Sequence, residues 1–148
     1  MKRALSYIGF WLISLTWGGI MTWIGAIVAL VLLITGHKPH RCGPNIYFVV
    51  GRSWGGVELG AFFLVCDNSG KSTALHECGH GIQNCIWGPL MPFVICIPSA
   101  ARYWYREYLV QVKGKFYHEL PDYDSIWFEG SATKLGEKYK EKFTNDSR

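Results

Sequence analysis

The chain has 148 residues, enough for one domain with a sizeable core and too few for two domains of ordinary size. Hydrophobic residues make up 49% of the sequence, and the formal net charge is +4. The basic residues do not combine with aromatic ones in the pattern typical of nucleic-acid-binding proteins, so no nucleic acid is expected as a partner. Five cysteines are an odd number and form no C-x-x-C pair, which argues against a disulfide scaffold and favours a reducing compartment.

The first segment is apolar: residues 4–34 contain no charged residue and read ALSYIGFWLISLTWGGIMTWIGAIVALVLLI. A bilayer core requires roughly 20 apolar residues in a helix, so this run is long enough to span a membrane at least once. We therefore expect residues 1–35 to form a membrane anchor and residues 36–148 to form a separate folded domain. A cleaved signal peptide is the alternative, but the run is too long for one and lacks a clear cleavage site.

The number of membrane passes and the orientation are left open by the sequence. The anchor is either one long tilted helix or two shorter helices that turn at Gly18 and Gly19, because a glycine pair permits a break. Lys2 and Arg3 precede the apolar run, but further basic residues follow it, so the charges do not fix the orientation. A hairpin with both flanks in the cytoplasm would reconcile the two sides.

The segment after the anchor predicts a linker and then a β-hairpin. The linker is GHKPHRCGPN, in which glycine and proline recur. IYFVV and VELGAFFLV are rich in β-branched and aromatic residues and are separated by GRSWGG, which predicts a hairpin from Ile46 to Val65. The loop that follows contains GKST but has Val65 where a phosphate-binding loop needs glycine. Ser72 or Thr73 is instead expected to cap the next helix.

That helix carries TALHECGHGIQN, with two histidines four residues apart and a glutamate after the first. A helix turns by about 100° per residue, so His76 and His80 project from one face and can reach the same metal ion. Glu77 lies at the edge of that face, where it can accept a proton from an activated water, as expected of H-E-x-x-H hydrolases. Gly79 and Gly81 are poor helix formers, which indicates that the metal or an adjoining strand packs closely there.

A catalytic zinc ion normally takes three protein ligands, so a third is needed. The metzincin continuation is excluded, because Gln83 and Ile86 stand where its glycine and third histidine would be. A C-terminal helix is predicted by the segment YDSIWFEGSATKLGEKYKEKF, and Glu129 lies beside its apolar stripe. A carboxylate that faces the core is costly to bury without a partner, and a metal ion is one such partner. The stripe consists of Phe128, Ala132, Leu135, Tyr139 and Phe143.

Between these two helices lies IWGPLMPFVICIPSAARYWYREYLV. Pro89, Pro92 and Pro98 would interrupt a regular helix, so this segment is not expected to form a simple spanning helix. It lies either at the bilayer boundary, where Trp and Tyr favour the headgroup level, or in a buried loop of the folded domain. Together the elements predict an α+β fold.

HECGH followed by EGSAT resembles the gluzincin metallopeptidases, in which an H-E-x-x-H helix is joined by a later E-x-x-A-[DN] helix. A longer region, Gly55 to Gly136, is similar to a group of small, uncharacterised bacterial membrane proteins. The similarity is carried, in order, by GGVELGAFFLV, ALHECGHGIQNCIWGPL, FVICIPS and YDSIWFEGSATKLG. It implies a minimal zinc metallopeptidase in residues 36–148.

The resemblance implies that His76, His80 and Glu129 bind Zn²⁺ and that Glu77 is the general base. Gluzincins have Asp or Asn after the alanine of the second motif, where it supports a ligating histidine. This chain has Thr133, which can form a hydrogen bond but carries no charge.

Other residues remain candidates for supporting roles. His118 and Asp124 are the next candidates for the third ligand. Tyr117, Tyr123 and His118 are candidates for donating a hydrogen bond to a developing oxyanion. We further expect the strand VELGAFFLV to border the cleft, where it would bind substrate backbone.

The sequence therefore predicts a membrane-anchored zinc metallopeptidase that cleaves peptides or membrane proteins near the lipid bilayer. The expected location is the bacterial inner membrane, with the catalytic part in the cytoplasm. Two alternatives stay open: a non-enzymatic membrane protein with a structural zinc site, and a metal-free membrane interaction protein.

Overall fold

A computed structural model describes residues 2–140 of the chain, and it has the predicted α+β class. Two helices come first, a four-stranded sheet follows, and the remaining helices complete the chain. The helices are α1 (Lys2–Leu15), α2 (Gly19–Ile34), α3 (Lys71–Trp87), α4 (Ile97–Gln111) and α5 (Trp127–Glu137). The strands are β1 (Pro39–Cys42), β2 (Asn45–Val49), β3 (Gly56–Leu59) and β4 (Phe62–Val65).

The sheet is mixed, with strand order β1-β2-β4-β3. β1 and β2 are antiparallel, as are β3 and β4, whereas β2 and β4 are parallel. The predicted hairpin from Ile46 to Val65 is therefore wrong. VELGAFFLV forms a hairpin by itself, because Gly60 adopts a φ of +75° and permits a tight turn inside the run. The predicted linker is also partly wrong, since Pro39–Cys42 is a strand.

The sheet lies between α2 on one face and α3 on the other. Strand β4 shows the alternation that this arrangement requires, because successive side chains point to opposite faces. Phe63 and Val65 pack with residues of α3, whereas Phe62 and Leu64 pack with residues of α2. The sheet is thus covered on both sides.

The apolar N-terminal run forms two helices, with the break at Gly18. A Cβ atom on Gly18 would lie 2.3 Å from the side-chain nitrogen of Asn84, which instead donates hydrogen bonds to the Gly18 carbonyl and the Thr22 hydroxyl. A polar contact from α3 thus occupies the turn between α1 and α2.

Among residues 2–140, no single helix is long and apolar enough to cross a membrane. Two bent helix pairs have that length and composition together. One pair is Ser6–Leu15 with Gly19–Ile34, bent by 96°, and the other is Lys71–Leu90 with Pro92–Gln111, bent by 116°.

The second bend lies at the prolines. Helix α3 ends at Trp87, and a 3₁₀ turn (Gly88–Leu90) and a π-helical turn (Pro92–Cys96) connect it to α4. The sequence identified the interruption correctly. It missed that the chain after Cys96 is helical, with Pro98 accommodated in the first turn of α4.

Two details at the helix ends differ from expectation. Gly70 is the N-cap of α3 and no side chain caps it, so the predicted cap by Ser72 or Thr73 is wrong. Of the predicted stripe, Phe128 and Ala132 are buried in α5, Leu135 and Tyr139 are half-buried, and Phe143 lies outside the described residues.

Helices α3 and α5 cross so closely that their backbones are in contact. A Cβ atom on Gly79 would lie 1.9 Å from the Ala132 carbonyl oxygen, and one on Gly136 would lie 1.8 Å from the Leu75 carbonyl oxygen. The predicted close packing at Gly79 is confirmed, but its neighbour is α5. Gly81 faces the sheet as expected, since a Cβ there would lie 3.0 Å from the Gly60 carbonyl oxygen.

The crossing makes a prediction for stability. Gly79→Ala should destabilise the fold by about 1–3 kcal/mol, because the added methyl group overpacks a contact between two backbones. Gly9→Ala in α1 is the matched control: no atom lies within 4 Å of its Cβ position, so alanine should be neutral or stabilise the helix by about 0.5–1 kcal/mol. Thermal or urea unfolding in detergent measures both, and equal stability of Gly79→Ala and native protein would contradict the packing.

Candidate metal centre

Three side chains converge where α3 and α5 cross. His76 and His80 project from α3, and Glu129 reaches them from the first turn of α5. The Glu129 Oε2 atom lies 2.9 Å from His76 Nε2 and 3.2 Å from His80 Nε2, and the two nitrogens are 3.1 Å apart. The structure thus brings together the three residues that the sequence predicts as ligands.

The spacing of these atoms fits a tetrahedral ion. Ligand atoms about 2.0 Å from a tetrahedral centre are about 3.3 Å from one another, close to the three distances observed. Glu129 is fully buried and His80 is 5% exposed, so the protein shields these two ligand side chains from solvent. His76, Glu129 and His80 therefore form a group that could hold a metal ion.

The outer partners of His80 fix its tautomer. Gln83 donates through Nε2 to the Phe128 carbonyl at 2.8 Å, so its Oε1 atom must face the His80 ring. His80 Nδ1 lies 2.7 Å from that oxygen, which only accepts hydrogen bonds. His80 Nδ1 therefore carries the proton, and Nε2 is directed at the cluster.

His76 is oriented in the same way through a longer chain of contacts. The Thr133 hydroxyl donates to the Asp124 carboxylate at 2.8 Å, so its oxygen is free to accept a hydrogen bond from His76 Nδ1, also at 2.8 Å. Thr133 itself carries no charge, as the sequence indicates. The structure adds that its hydroxyl connects His76 to the negatively charged Asp124 carboxylate.

The cluster requires a positive charge at its centre. Burial alone would lower the pKa of His80, but its hydrogen bond to Glu129 and the charges of Glu77, Glu129 and Glu58 raise the pKa to about 9. The surroundings of His80 therefore favour a positive charge on its ring. A proton in the cluster can be shared by only two of the three facing atoms, which are His76 Nε2, His80 Nε2 and Glu129 Oε2. A metal ion at the centre would contact all three atoms. Metal binding would therefore displace the proton.

The surroundings of Glu129 also favour its charged form, which can bind a cation. Burial alone would raise its pKa, but the Nε2 atoms of His76 and His80 beside its carboxylate and the charge of His80 hold the pKa well below the usual range of a glutamate. Its second oxygen, Oε1, is buried and accepts no hydrogen bond of normal geometry from the described residues, although the Ser99 side chain is near enough to help lower the pKa. A buried carboxylate oxygen that lacks a well-formed hydrogen bond is costly, and a metal ion would reduce that cost.

Glu77, the predicted general base, lies on the cleft side of α3 and is 7% exposed. Its carboxylate packs on strand β3, where a Cβ atom on Gly56 would lie 2.6 Å from Glu77 Oε1. Burial raises the pKa of Glu77, while the positive charges of His80 and His76 oppose the rise. Glu77 is outside the ligand triangle, as its predicted role requires.

A cleft of about 730 Å³ opens beside the cluster. Strand β3, helices α3 and α4, and the segment before α5 form its walls. The apolar part of the lining includes Trp54, Val57, Met91, Ile95, Tyr103 and Trp104. Strand β3 is at the edge of the sheet, so the predicted border between VELGAFFLV and the cleft is confirmed.

The remaining predicted candidates lie at different distances from the centre. Asp124 is not in the ligand group but supports His76 through Thr133, and His118 is exposed and stacks on Phe116. Tyr123 lines the cleft with its ring 6.3 Å from that of His76, and burial raises its pKa to about 12. Tyr117 is at the cleft rim, where its hydroxyl donates to Glu107.

Sequence reasoning missed Gln83 and Glu58. Gln83 lies three residues after His80, a spacing that places it on the same side of the helix, so its support of the ring was readable in principle. Glu58 lies in strand β3 and lines the cleft, and no pattern in the sequence distinguishes it from a surface glutamate.

Comparisons with protein-family models, curated proteins and solved structures give no match to this chain. What the cluster can do is therefore inferred from its own geometry.

The Thr133 contact makes a prediction for metal affinity. Thr133→Val should weaken metal binding by about 10- to 100-fold, because the imidazole loses its outer partner, and Thr133→Ser should retain most of the affinity. Thr73→Val is the control, since Thr73 lines the same cleft and is bonded to none of the three ligands. Competition with a chromophoric zinc chelator measures the affinities. Native affinity in Thr133→Val would show that the hydroxyl does not support the ligand.

Proposed function

We propose that this chain is a membrane-anchored, zinc-dependent peptidase of minimal gluzincin type. The observation that carries the proposal is the convergence of His76, His80 and Glu129 beside a cleft that also contains Glu77. Two imidazole nitrogens and a carboxylate oxygen are a ligand set typical of catalytic zinc, and three protein ligands leave one position for water or substrate. The similarity of HECGH and EGSAT to the gluzincin motifs agrees with this ligand set.

The chemistry follows from the positions of the side chains. Zinc bound at this site would polarise the scissile carbonyl and lower the pKa of water. Glu77 is outside the ligand triangle and lines the cleft, so its carboxylate accepts the proton of the attacking water and then delivers it to the leaving amine. Gln83 and Thr133 keep the two imidazoles in the required tautomer.

Two further features support peptide hydrolysis in the cleft. Strand β3 is an edge strand, so an extended peptide could pair with its outer edge and pass over the cluster. Tyr123 lines the cleft beside His76, and its phenol is protonated at neutral pH, so its hydroxyl can donate to the oxyanion that develops on the carbonyl oxygen.

A structural zinc site is supported less well. Closed structural sites have four protein ligands, commonly cysteines, and Cys78 lies within the motif. Its thiol points away from the histidines and contacts the Cys42 carbonyl at 3.2 Å. No fourth protein ligand is present in the group formed by the described residues.

The proposed base makes a prediction for activity. Glu77→Gln should keep one zinc ion per chain and lose about 10²- to 10⁴-fold in peptide hydrolysis, because the amide cannot accept the proton. Glu137→Gln, at the exposed end of α5, is the matched control and should hydrolyse at the native rate. Hydrolysis of quenched fluorescent peptides by the zinc-loaded chain in detergent is the measurement. Equal rates for Glu77→Gln and the native chain would exclude this mechanism.

The membrane anchor is part of the proposal. Helices α1 and α2 expose many large apolar side chains, among them Ile27 at 66% and Ile34 at 77%. Two of their polar residues, Ser14 and Thr22, are instead buried against α3. An apolar outside with a polar inside is the reverse of a water-exposed helix pair and is suited to lipid. The bilayer would then restrict substrates to chains near its surface.

The anchor makes a prediction for lipid binding. Replacing Ile24 and Ile27 together by lysine should lower partitioning into phospholipid vesicles, because two charges would enter the apolar face of α2. Val112→Lys is the control, since Val112 is 66% exposed but follows α4, outside the anchor. Flotation of vesicles on a density gradient measures partitioning. The anchor would be refuted if the doubly substituted chain floated as well as the control.

A further inference from the structure

Strand β3 places a second buried acid in the cleft. Glu58 is 6% exposed and lines the same cavity as His76, Glu77 and His80. The metal cluster does not use it, because the ligand group consists of the two histidines and Glu129. The proposed proton transfer does not use it either, because Glu77 performs that step.

Glu58 has few partners for a buried carboxylate. One oxygen accepts a hydrogen bond from the Gly60 backbone, and the other is contacted by the Cys96 thiol at 3.9 Å. Among the side chains described, those of residues 6–140, no lysine, arginine or histidine forms an ion pair with it, since the pairs present are Arg52–Asp67 and the two that join histidines to Glu129. Burial raises the pKa of Glu58 to about 8, so the unliganded acid is mostly protonated at neutral pH, and a positively charged group that binds it would displace that proton.

The charged lining of the cleft is mainly acidic. Four carboxylates line it besides the metal ligands: Glu58, Glu77, Glu107 and Asp124. Arg106 is the one arginine or lysine in that lining, and its guanidinium donates to the Pro121 carbonyl and lies 5.6 Å from the Tyr123 ring centre. The cleft therefore favours a ligand group of positive charge.

We propose that the Glu58 carboxylate binds a positively charged nitrogen of the substrate, either an amino terminus or a lysine or arginine side chain near the scissile bond. This rests on the peptidase function proposed above. Such a pair would be strong, because both charges lie in a pocket largely withdrawn from water.

A purely structural role is the competing explanation. Glu58 accepts from the Gly60 N–H group within the β3–β4 turn, so it could serve the turn alone. Glu58→Gln separates the two roles, because the amide keeps an acceptor oxygen of the same reach and removes the charge. Glu107→Gln is the matched control, since Glu107 also lines the cleft but is only half-buried and accepts from Gln111 and Tyr117.

The experiment measures binding separately from hydrolysis. Zinc-loaded full-length Glu77→Gln protein in detergent is titrated with fluorescent, alanine-rich octapeptides that carry one lysine or one norleucine at each position in turn. Each peptide has a free or an acetylated amino terminus, which distinguishes the two sources of charge. At one position or at the amino terminus, the charged peptide should bind about tenfold tighter than its neutral counterpart. Adding Glu58→Gln should bring this ratio close to one, whereas adding Glu107→Gln should preserve it.

The possible results separate this proposal from the peptidase function. Equal binding of charged and neutral peptides, no binding of either, or a preference that survives Glu58→Gln would each overturn the role of Glu58. A preference that depends on Glu58, together with no hydrolysis by the native chain, would preserve it and refute the peptidase. If Glu58→Gln fails to fold, Glu58→Asp keeps the charge but shortens its reach, and a weaker preference is expected.

Discussion

The site depends on the contact of two helix backbones, where Gly79 and Gly136 allow α3 and α5 to cross with no side chain between them. This contact brings Glu129 within 3.2 Å of both histidines, although more than 45 residues separate them in the chain. The same crossing places Thr133 and the Phe128 carbonyl beside the outer edges of the two rings. One packing constraint therefore positions both the ligands and the groups that orient them.

The charges around the crossing determine what the site can bind. The outer partners leave both Nε2 atoms directed at a carboxylate, so the centre is suited to a cation. Around it, Glu77 and Glu58 are held in a largely buried wall whose carboxylates exceed its arginines and lysines. A cation of charge +2 offsets part of this negative charge, and a substrate amine or guanidinium would offset more. In the proposed account, the fold would place an ion at the base of the cleft and a preference for positively charged substrate groups along its wall.

The sequence predicted the parts that depend on local spacing. The helical period fixes His76 and His80 on one face, and the apolar stripe beside Glu129 fixes the inward face of α5. Pairing between distant segments was not predictable in this way. The parallel contact of β2 with β4 depends on Gly60 turning inside an apparently continuous apolar run, and the position of Glu58 follows from that turn. The Asp124–Thr133–His76 chain likewise links residues that only the folded structure brings together.

X-ray absorption at the zinc edge of the purified native chain tests the central claim most directly. The account predicts one zinc ion per chain, coordinated by two imidazole nitrogens and by oxygen atoms at about 2.0–2.2 Å, without sulfur. A chain that binds no stoichiometric metal, or a spectrum that shows a sulfur ligand at about 2.3 Å, would contradict it.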